Sequence, residues 1–389
     1  METLGSSVEF APNDPQSVRE AAALVNADLV VVGPEDPLVA GVADPLREDG
    51  RAVFGPSGAA AKLEGSKSWM KDVLVSAGVA TARHATFDAA HEAAALAFLD
   101  TLDDLYVIKT EGLAAGKGVV VTESIAEARA TVKRYLSGAA FGTAGTTCVI
   151  EEGMRGPEVS LFALCDGTSA ELFVCAQDHK RVGDGDTGPN TGGMGAYSPV
   201  PFVSSDLEAE IMQRAIEPTL REMAARGAEY RGVLFCGLML TETGPKVVEY
   251  NIRFGDPECQ IMMRRLESDI YTHLHEAAVG SIATPARFAP EAAAIVMLAA
   301  DGYPATPVLG SEIRGLDAAN ALHDVVVFHS GTRRSGENIV TNGGRVVGVT
   351  ATGLDLATAR DRAYDAISKI SFDGMHYRRD IGVGGLDLT

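Results

Sequence analysis

The segment Val247-Val248-Glu249-Tyr250-Asn251-Ile252-Arg253-Phe254-Gly255-Asp256-Pro257-Glu258 threads a carboxylate, an amide and an arginine through an otherwise apolar strand. Alternate side chains of a strand share a face, so Glu249, Asn251 and Arg253 are expected to point one way, and Val248, Tyr250, Ile252 and Phe254 into a core. Positions two apart on one face lie roughly 6.6–6.8 Å from each other, close enough for two oxygens to serve one hard cation or neighbouring ones. Mg²⁺ is usually held by one or two carboxylates plus substrate phosphates. A carboxylate and an amide oxygen beside a guanidinium therefore suit metal-bound phosphate, and Gly255-Asp256-Pro257-Glu258 adds a turn carrying acids.

Two further stretches bear on phosphate chemistry. Val107-Ile108-Lys109-Thr110-Glu111-Gly112-Leu113-Ala114-Ala115-Gly116-Lys117-Gly118-Val119 sets two lysines around a small, glycine-rich loop whose N–H groups can meet phosphate oxygens. It is not a Walker A loop: the glycine spacing is one residue short and Gly118 stands where Ser or Thr is required. The stretch Gln177 to Tyr197 interleaves glycines with charges, and N–H groups near Gly192 to Gly195 are expected to form an anion nest beside Lys180 and Arg181. Between them, Val149-Ile150-Glu151-Glu152-Gly153-Met154-Arg155-Gly156-Pro157-Glu158 joins a strand end to an acidic bend. A strand edge can meet an adenine, and a carboxylate a few residues on can accept ribose hydroxyls.

Several chemistries are not indicated. His273 and His275 are two apart, a poor zinc spacing, no GxSxG occurs, and no Cys/His placement forms a persuasive triad. The five cysteines, at 148, 165, 175, 236 and 259, form no CxxC pair and suggest buried thiols in a reducing compartment. The formal charge of −20 argues against nonspecific binding to nucleic acid or anionic membranes. With 46% hydrophobic residues and mean hydropathy +0.08, the composition is that of a globular protein. The apolar runs fall short of the about 20 residues that cross a bilayer, and the first residues lack a signal-peptide pattern, so a soluble, cytoplasmic protein is expected.

The elements that must position these residues follow from periodicity. At 389 residues, two or three domains are expected. The first sixty residues read as an α/β fragment: a helix Pro15 to Val25, a strand Asp28 to Val32, a helix near Leu38 to Arg47 and a strand Ala52 to Phe54, implying a parallel sheet with only two strands. Thereafter come a helix Lys67 to Ala77, strands Tyr106 to Lys109 and Val119 to Val121, a helix Ser124 to Leu136 and a strand Cys148 to Glu151. A hairpin Val159 to Cys165 and Ala170 to Ala176 precedes the long glycine loop, a helix Asp206 to Ala225 and a hairpin Gly232 to Arg253. The last region mixes strands Ala294 to Leu298, Val325 to Phe328 and Arg345 to Thr350 with a helix Leu356 to Ser368.

In this order, Gly33-Pro34-Glu35-Asp36-Pro37-Leu38, Phe54-Gly55-Pro56, Leu63-Glu64-Gly65-Ser66-Lys67, Lys109 to Gly118, Asp178 to Pro199, Glu249 to Glu258 and Thr341-Asn342-Gly343-Gly344-Arg345 resemble the ATP-grasp ligases. The resemblance is specifically to the phosphoribosylamine-glycine ligase family, chiefly through the Asp178 to Tyr197 stretch, and runs from about Val8 to the end. It implies an ATP-grasp fold at 62–290, with a lid near 82–152, between an N-terminal parallel α/β domain at 1–61 and a mixed α/β domain at 291–389. It also implies that ATP phosphorylates glycine and that 5-phosphoribosylamine attacks the acyl phosphate, giving glycinamide ribonucleotide, ADP and phosphate in purine biosynthesis.

On this resemblance Lys67, Lys109 and Arg253 act in phosphoryl transfer, and Gly112, Gly116, Lys117 and Gly118 close over the phosphates. Glu151 and Glu152 line the adenine pocket, Glu158 takes the ribose, and Glu249 with Asn251 holds Mg²⁺ or Mn²⁺. Substrate contacts are expected from Glu35, Asp178, Lys180, Arg181, Asn190, Thr191, Gly192, Gly193, Met194, Gly195 and Arg253. A monomer is expected, with a weak homodimer as the alternative. One departure stands out: nothing before Val8 matches the family's first strand and Gly-Gly-Arg-Glu-type loop. The first domain is therefore expected to be partial, and a truncated ATP-binding protein without ligase activity is the alternative function, ahead of a ligase for another carboxylate and amine.

Overall fold

A computed structural model describes residues 5–113, 118–140 and 146–387. At the N-terminus the strands Leu29–Val31 and Ala52–Phe54 pair in parallel. The helix Pro15–Leu24, capped by Asp14 on the N–H of Ser17, and the helix Ala43–Glu48 cover one face with Val18, Ala22, Val42, Ala43 and Leu46. Leu29, Ala52 and Phe54 turn the other way, onto Ile270, Leu274, Ala277 and Ala278. Two strands therefore suffice for a buried layer here, because a helix of the next unit supplies the second cover. The expected helix from Leu38 to Arg47 is two short ones, Glu35–Val39 and Ala43–Glu48, broken at Gly41 with φ +80°.

The contact of this unit with the body is a glycine pair. A Cβ on Gly232 would lie 3.1 Å from both Cα and N of Gly55, and Gly232 has φ +127°. Gly232→Ala is expected to cost about 1–3 kcal/mol through strain and forced separation of the two backbones. A melting temperature unchanged from wild type would contradict this.

The body is built on one eight-stranded antiparallel sheet, in the order Gly244–Asn251, Arg231–Thr241, Glu158–Asp166, Ala170–Asp178, Gly195–Ser198, Ala292–Ala299, Arg345–Gly353, Val325–His329. The short strand Gly195–Ser198 joins the two halves, pairing with Ala170–Asp178 on one side and Ala292–Ala299 on the other. One face carries Leu161, Ala163, Leu234, Cys236 and Tyr250 under the helices Gly58–Gly65 and Lys67–Ser76 and the run 205–225. The opposite face packs Phe162, Phe235 and Ile295 against the helices Glu258–Arg265 and Ile270–Val279.

The run 205–225 was expected as one helix and is Ser205–Ile211, a wider π turn Met212–Ile216, and Glu217–Ala225. Pro218 lacks the N–H that a regular helix requires, and the wide turn lies just before it. A separate four-stranded sheet, His84–Asp88, Thr147–Glu152, Tyr106–Thr110 and Val119–Thr122, faces the body across a cleft. Its own core includes Ile108, Ile150, Val132 and Tyr135. Among the described residues no helix is long and apolar enough to cross a membrane.

Candidate active site

The strand Gly244–Asn251 carries the polar face expected of it, but it is irregular. Gly237 opposes Glu249 and Leu238 opposes Val247, which leaves Val248 as the extra residue of a bulge. Its carbonyl leaves the ladder and accepts from Lys109 Nζ at 3.1 Å. The strand was expected to continue through Arg253 and stops at Asn251. The reason is Glu64, whose Oε2 takes the Ile252 N–H at 2.8 Å in place of a neighbouring strand. Arg253 still comes back to this face. Its Nη2 lies 3.3 Å from both Asn251 Oδ1 and Glu64 Oε1, its Nε 3.3 Å from Glu35 Oε2, and its Nη1 donates to Phe254 O at 3.2 Å.

Glu249 stands among cations. Its Oε1 is 3.5 Å from Lys180 Nζ, and although burial pushes the carboxyl up, Lys180, Lys109, Lys67 and Arg253 hold it down at about 2. Lys180 also pairs with Glu158 at 3.1 Å. Burial raises Asp178 to about 6 and Glu258 to about 8 in the same region, against the pull of Lys180. Glu249 and the Asn251 amide oxygen are two hard ligands on one face, with phosphate oxygens left to complete the shell, so the residues present fit Mg²⁺ or Mn²⁺. Among the described residues no three His, Cys, Asp or Glu side chains converge as a metal cage.

The lysines come from two elements. Lys67 opens the helix Lys67–Ser76, whose first turn is capped by Ser66 Oγ on the Trp69 N–H. Its Nζ donates to Gly112 O at 2.6 Å. Glu111 ties the start of the glycine-rich loop to the same helix end, accepting from Ser68 N at 3.1 Å and from the Ser66 and Ser68 hydroxyls. Lys109 pairs with Glu151 Oε1 at 2.9 Å, and Lys71 takes Oε2 at 3.0 Å. Both Glu151 oxygens are thus held by lysines. Burial would raise this carboxyl, but Lys109 and Lys71 keep it below the usual carboxylate range. Gly116 and Lys117 lie outside the described residues.

The glycine stretch after Asp178 is more ordered than a loop. Arg181–Gly183 and Thr187–Asn190 form a small hairpin, and Gly195–Ser198 is a sheet strand. The expected anion nest at Gly192 to Gly195 does not form, because its N–H groups are spent inside the protein. Gly192 donates to Tyr303 Oη at 3.1 Å, Gly193 to Thr191 Oγ1 at 3.0 Å and Met194 to His179 O at 2.8 Å. Met194 is fully buried. The last domain holds this segment in place. Arg345 Nη1 donates to Gly192 O and Asp256 O, each at 2.7 Å, and Arg378 joins Asp186 at 2.6 Å to Asp380 at 2.7 Å.

These groups line one cleft of about 1160 Å³ between the four-stranded sheet, the large sheet and the last domain. It gathers Glu35, Lys67, Lys109, Gly118, Glu151, Glu152, Glu158, Asp178, Lys180, Arg181, Asn190, Thr191, Gly192, Glu249, Asn251 and Arg253. Gly112, Gly193, Met194 and Gly195 do not line it. At one end the walls are apolar, with Leu105, Val107, Met154 and Met239. An apolar slot leading to cations and oxygen ligands can take a flat base with its phosphates toward the polar end.

Glu64, Lys71, Glu111, Arg345 and Arg378 were not among the expected site residues. Lys71 stands one helical turn after Lys67, a spacing that carries a signal. Arg345 ends the Thr341-Asn342-Gly343-Gly344-Arg345 segment that carries part of the family resemblance, whereas Arg378 has no local signal.

Burial pushes Glu64 up to about 7, with Arg253 opposing. Between its ordinary 4.5 and about 7 the folded protein therefore binds a proton that the unfolded chain has released, and stability falls as pH rises through that window. Glu64→Gln removes this dependence. Relative to wild type, the variant is expected to gain about 3 kcal/mol between pH 4.5 and 7.5. Parallel melting profiles for the two proteins would contradict this.

Comparison with known proteins agrees over most of the chain. The phosphoribosylglycinamide synthetase family models match as an N domain at residues 1–64, an ATP-grasp (A) domain at 65–259 and a C domain at 293–384. A phosphoribosylamine–glycine ligase of Mesorhizobium japonicum is 52% identical over 91% of this chain and 83% of its own. One from Caulobacter vibrioides is 53% identical over 92% and 84%. The crystal structure of the Thermotoga maritima phosphoribosylamine–glycine ligase superposes with TM-score 0.84 at 30% identity, covering 98% of this chain and 91% of that one. The N-domain model begins at residue 1, so the family likeness extends ahead of Val8, where it was expected to start.

Proposed function

Because the chain belongs to the phosphoribosylglycinamide synthetase family, we propose that it joins glycine to 5-phosphoribosylamine at the expense of ATP. A glycine carboxylate oxygen attacks the γ-phosphorus, releasing ADP and leaving glycyl phosphate. The amine nitrogen then forms the C–N bond, the carbonyl carbon–oxygen bond to phosphate breaks, and the amine proton passes to solvent. The products are glycinamide ribonucleotide, ADP and phosphate.

The observation that carries this reading is the convergence of Lys67, Lys109, Lys180 and Arg253 on Glu249 and Asn251 in one cleft. Phosphoryl transfer needs positioning and charge neutralisation more than a side-chain nucleophile. Lys109 and Lys67 meet the transferred phosphate, Arg253 grips the developing acyl phosphate, and the apolar end at Val107, Met154 and Met239 takes the base. Glu158 accepts the ribose hydroxyls. Mg²⁺ or Mn²⁺ on Glu249 and Asn251 neutralises phosphate charge when bound. Asp178, Lys180, Arg181, Asn190 and Thr191 lie toward the last domain and face glycine and the amine.

We divide the chain at 1–61, 62–290 and 291–389, with the four-stranded sheet as the lid near 82–152. We read the protein as a monomer, with a weak homodimer as the alternative, and the five free cysteines support a reducing cytoplasm. The test is ADP release with ATP, Mg²⁺, glycine and freshly generated phosphoribosylamine, omitting each in turn. Release that needs both glycine and the amine supports the ligase. Release that ignores the amine overturns the acceptor assignment.

A further inference from the structure

Lys67 and Lys71 lie one turn apart on one helix but end in different places. Lys67 lines the cleft. Lys71 does not, and it is 1% exposed. Its Nζ donates to Thr81 Oγ1 at 2.7 Å and meets Glu151 Oε2 at 3.0 Å. Thr81 in turn donates to Val247 O at 2.6 Å, next to the bulge whose Val248 carbonyl holds Lys109. Glu151 Oε1 lies 2.9 Å from Lys109. Three buried charges are therefore linked in a row, Lys71–Glu151–Lys109, and only Glu151 and Lys109 face the cleft.

A buried lysine is costly to keep, and an apolar side chain would fill the same space without that cost. A single lysine facing a single carboxylate would form a neutral pair, leaving Lys109 little charge to offer an incoming anion. Two lysines sharing one carboxylate carry a net positive charge. We propose that Lys71 is a positioning residue for the nucleotide: it takes one oxygen of Glu151 and half of its charge, so that Lys109 presents an uncompensated ammonium to phosphate. The inference rests on reading the cleft as a nucleotide site.

The arrangement has a built-in pH limb. Burial pushes Lys71 down to about 8, against the pull of Glu151 and with Lys109 lowering it further. When Lys71 loses its proton the linked set becomes neutral, so nucleotide affinity falls as pH rises through this value. The other charged groups near it have partners of their own. Glu152 lies 3.7 Å from Lys246, Glu249 faces Lys180, and Glu64 faces Arg253. Lys62 is exposed, while Arg226, on the far side of the helix, binds Glu222, Ser76 Oγ and the Asp72 carbonyl.

The test is ADP binding by calorimetry at saturating Mg²⁺ from pH 7 to 9.5, which keeps the ionisation of glycine and the amine out of the readout. Wild-type affinity is expected to fall about tenfold across this range, while Lys71→Met binds about tenfold more weakly at pH 7 and shows no fall. Lys71→Arg, which stays charged, is expected to match wild type at pH 7 and to keep its affinity at pH 9.5. Lys71→Met with wild-type affinity at pH 7, or Lys71→Arg with the wild-type fall, overturns the proposal. Should Lys71→Met not fold, the wild-type protein and Lys71→Arg carry the test by themselves: a wild-type affinity that stays constant from pH 7 to 9.5 also overturns the proposal. A wild-type protein that binds no nucleotide would instead sink the proposed function.

Discussion

Arg253→Lys is expected to lower kcat/KM by about a hundredfold or more, although the charge is kept. The guanidinium serves four acceptors in different directions: Glu35, Glu64, Asn251 and the Phe254 carbonyl. An ammonium is a single point with a shorter reach and cannot span them. It would leave Glu64 partly unpaired at a site that is already poorly solvated, with a stability cost of about 2 kcal/mol. The kinetic loss should fall on kcat more than on the KM for ATP, because Arg253 lies at the polar end of the cleft, away from the apolar slot. A rate within threefold of wild type would remove Arg253 from the phosphate-gripping role.

Glu249→Gln is expected to raise the Mg²⁺ concentration needed for half-maximal rate and to cut turnover by about 10²–10³-fold. The carboxylate is ionised far below neutral pH because four cations face it. The amide removes a negative ligand and leaves those cations to repel one another. The fold should persist, since Glu249 is half-buried on the cleft wall and Lys180 keeps Glu158 as a partner. Circular dichroism should match wild type while the metal titration shifts. An unchanged metal dependence would defeat the assignment of Glu249 as a ligand.

Much of the site was legible because its chemistry is written in short segments. Glu249, Asn251 and Arg253 were read as one face from the two-residue period, and they do converge, although Arg253 arrives from beyond the strand end. Lys109 was read from its place before a glycine-rich loop. The glycine stretch misled. Its composition suggested backbone N–H groups free for an anion, whereas Tyr303, Thr191 and His179 consume them. Nothing in the local sequence announces such partners, since Tyr303 is more than a hundred residues away.

The element types and most of the strand and helix positions were set by the sequence alone, since periodicity, capping residues and turn glycines act over a few residues. So was the class of chemistry, because carboxylate, amide, lysine and arginine types at those spacings suit metal-bound phosphate and little else. Tertiary structure decided which charges meet. Glu64 ends the strand before Arg253, Lys71 and Lys109 share Glu151, and Arg345 and Arg378 reach from the last domain to hold the glycine segment. Tertiary structure also joined two apparent domains into one sheet through Gly195–Ser198. These are pairings across tens to hundreds of residues, fixed by burial and by the need to give every buried charge and backbone group a partner. No local pattern encodes that requirement.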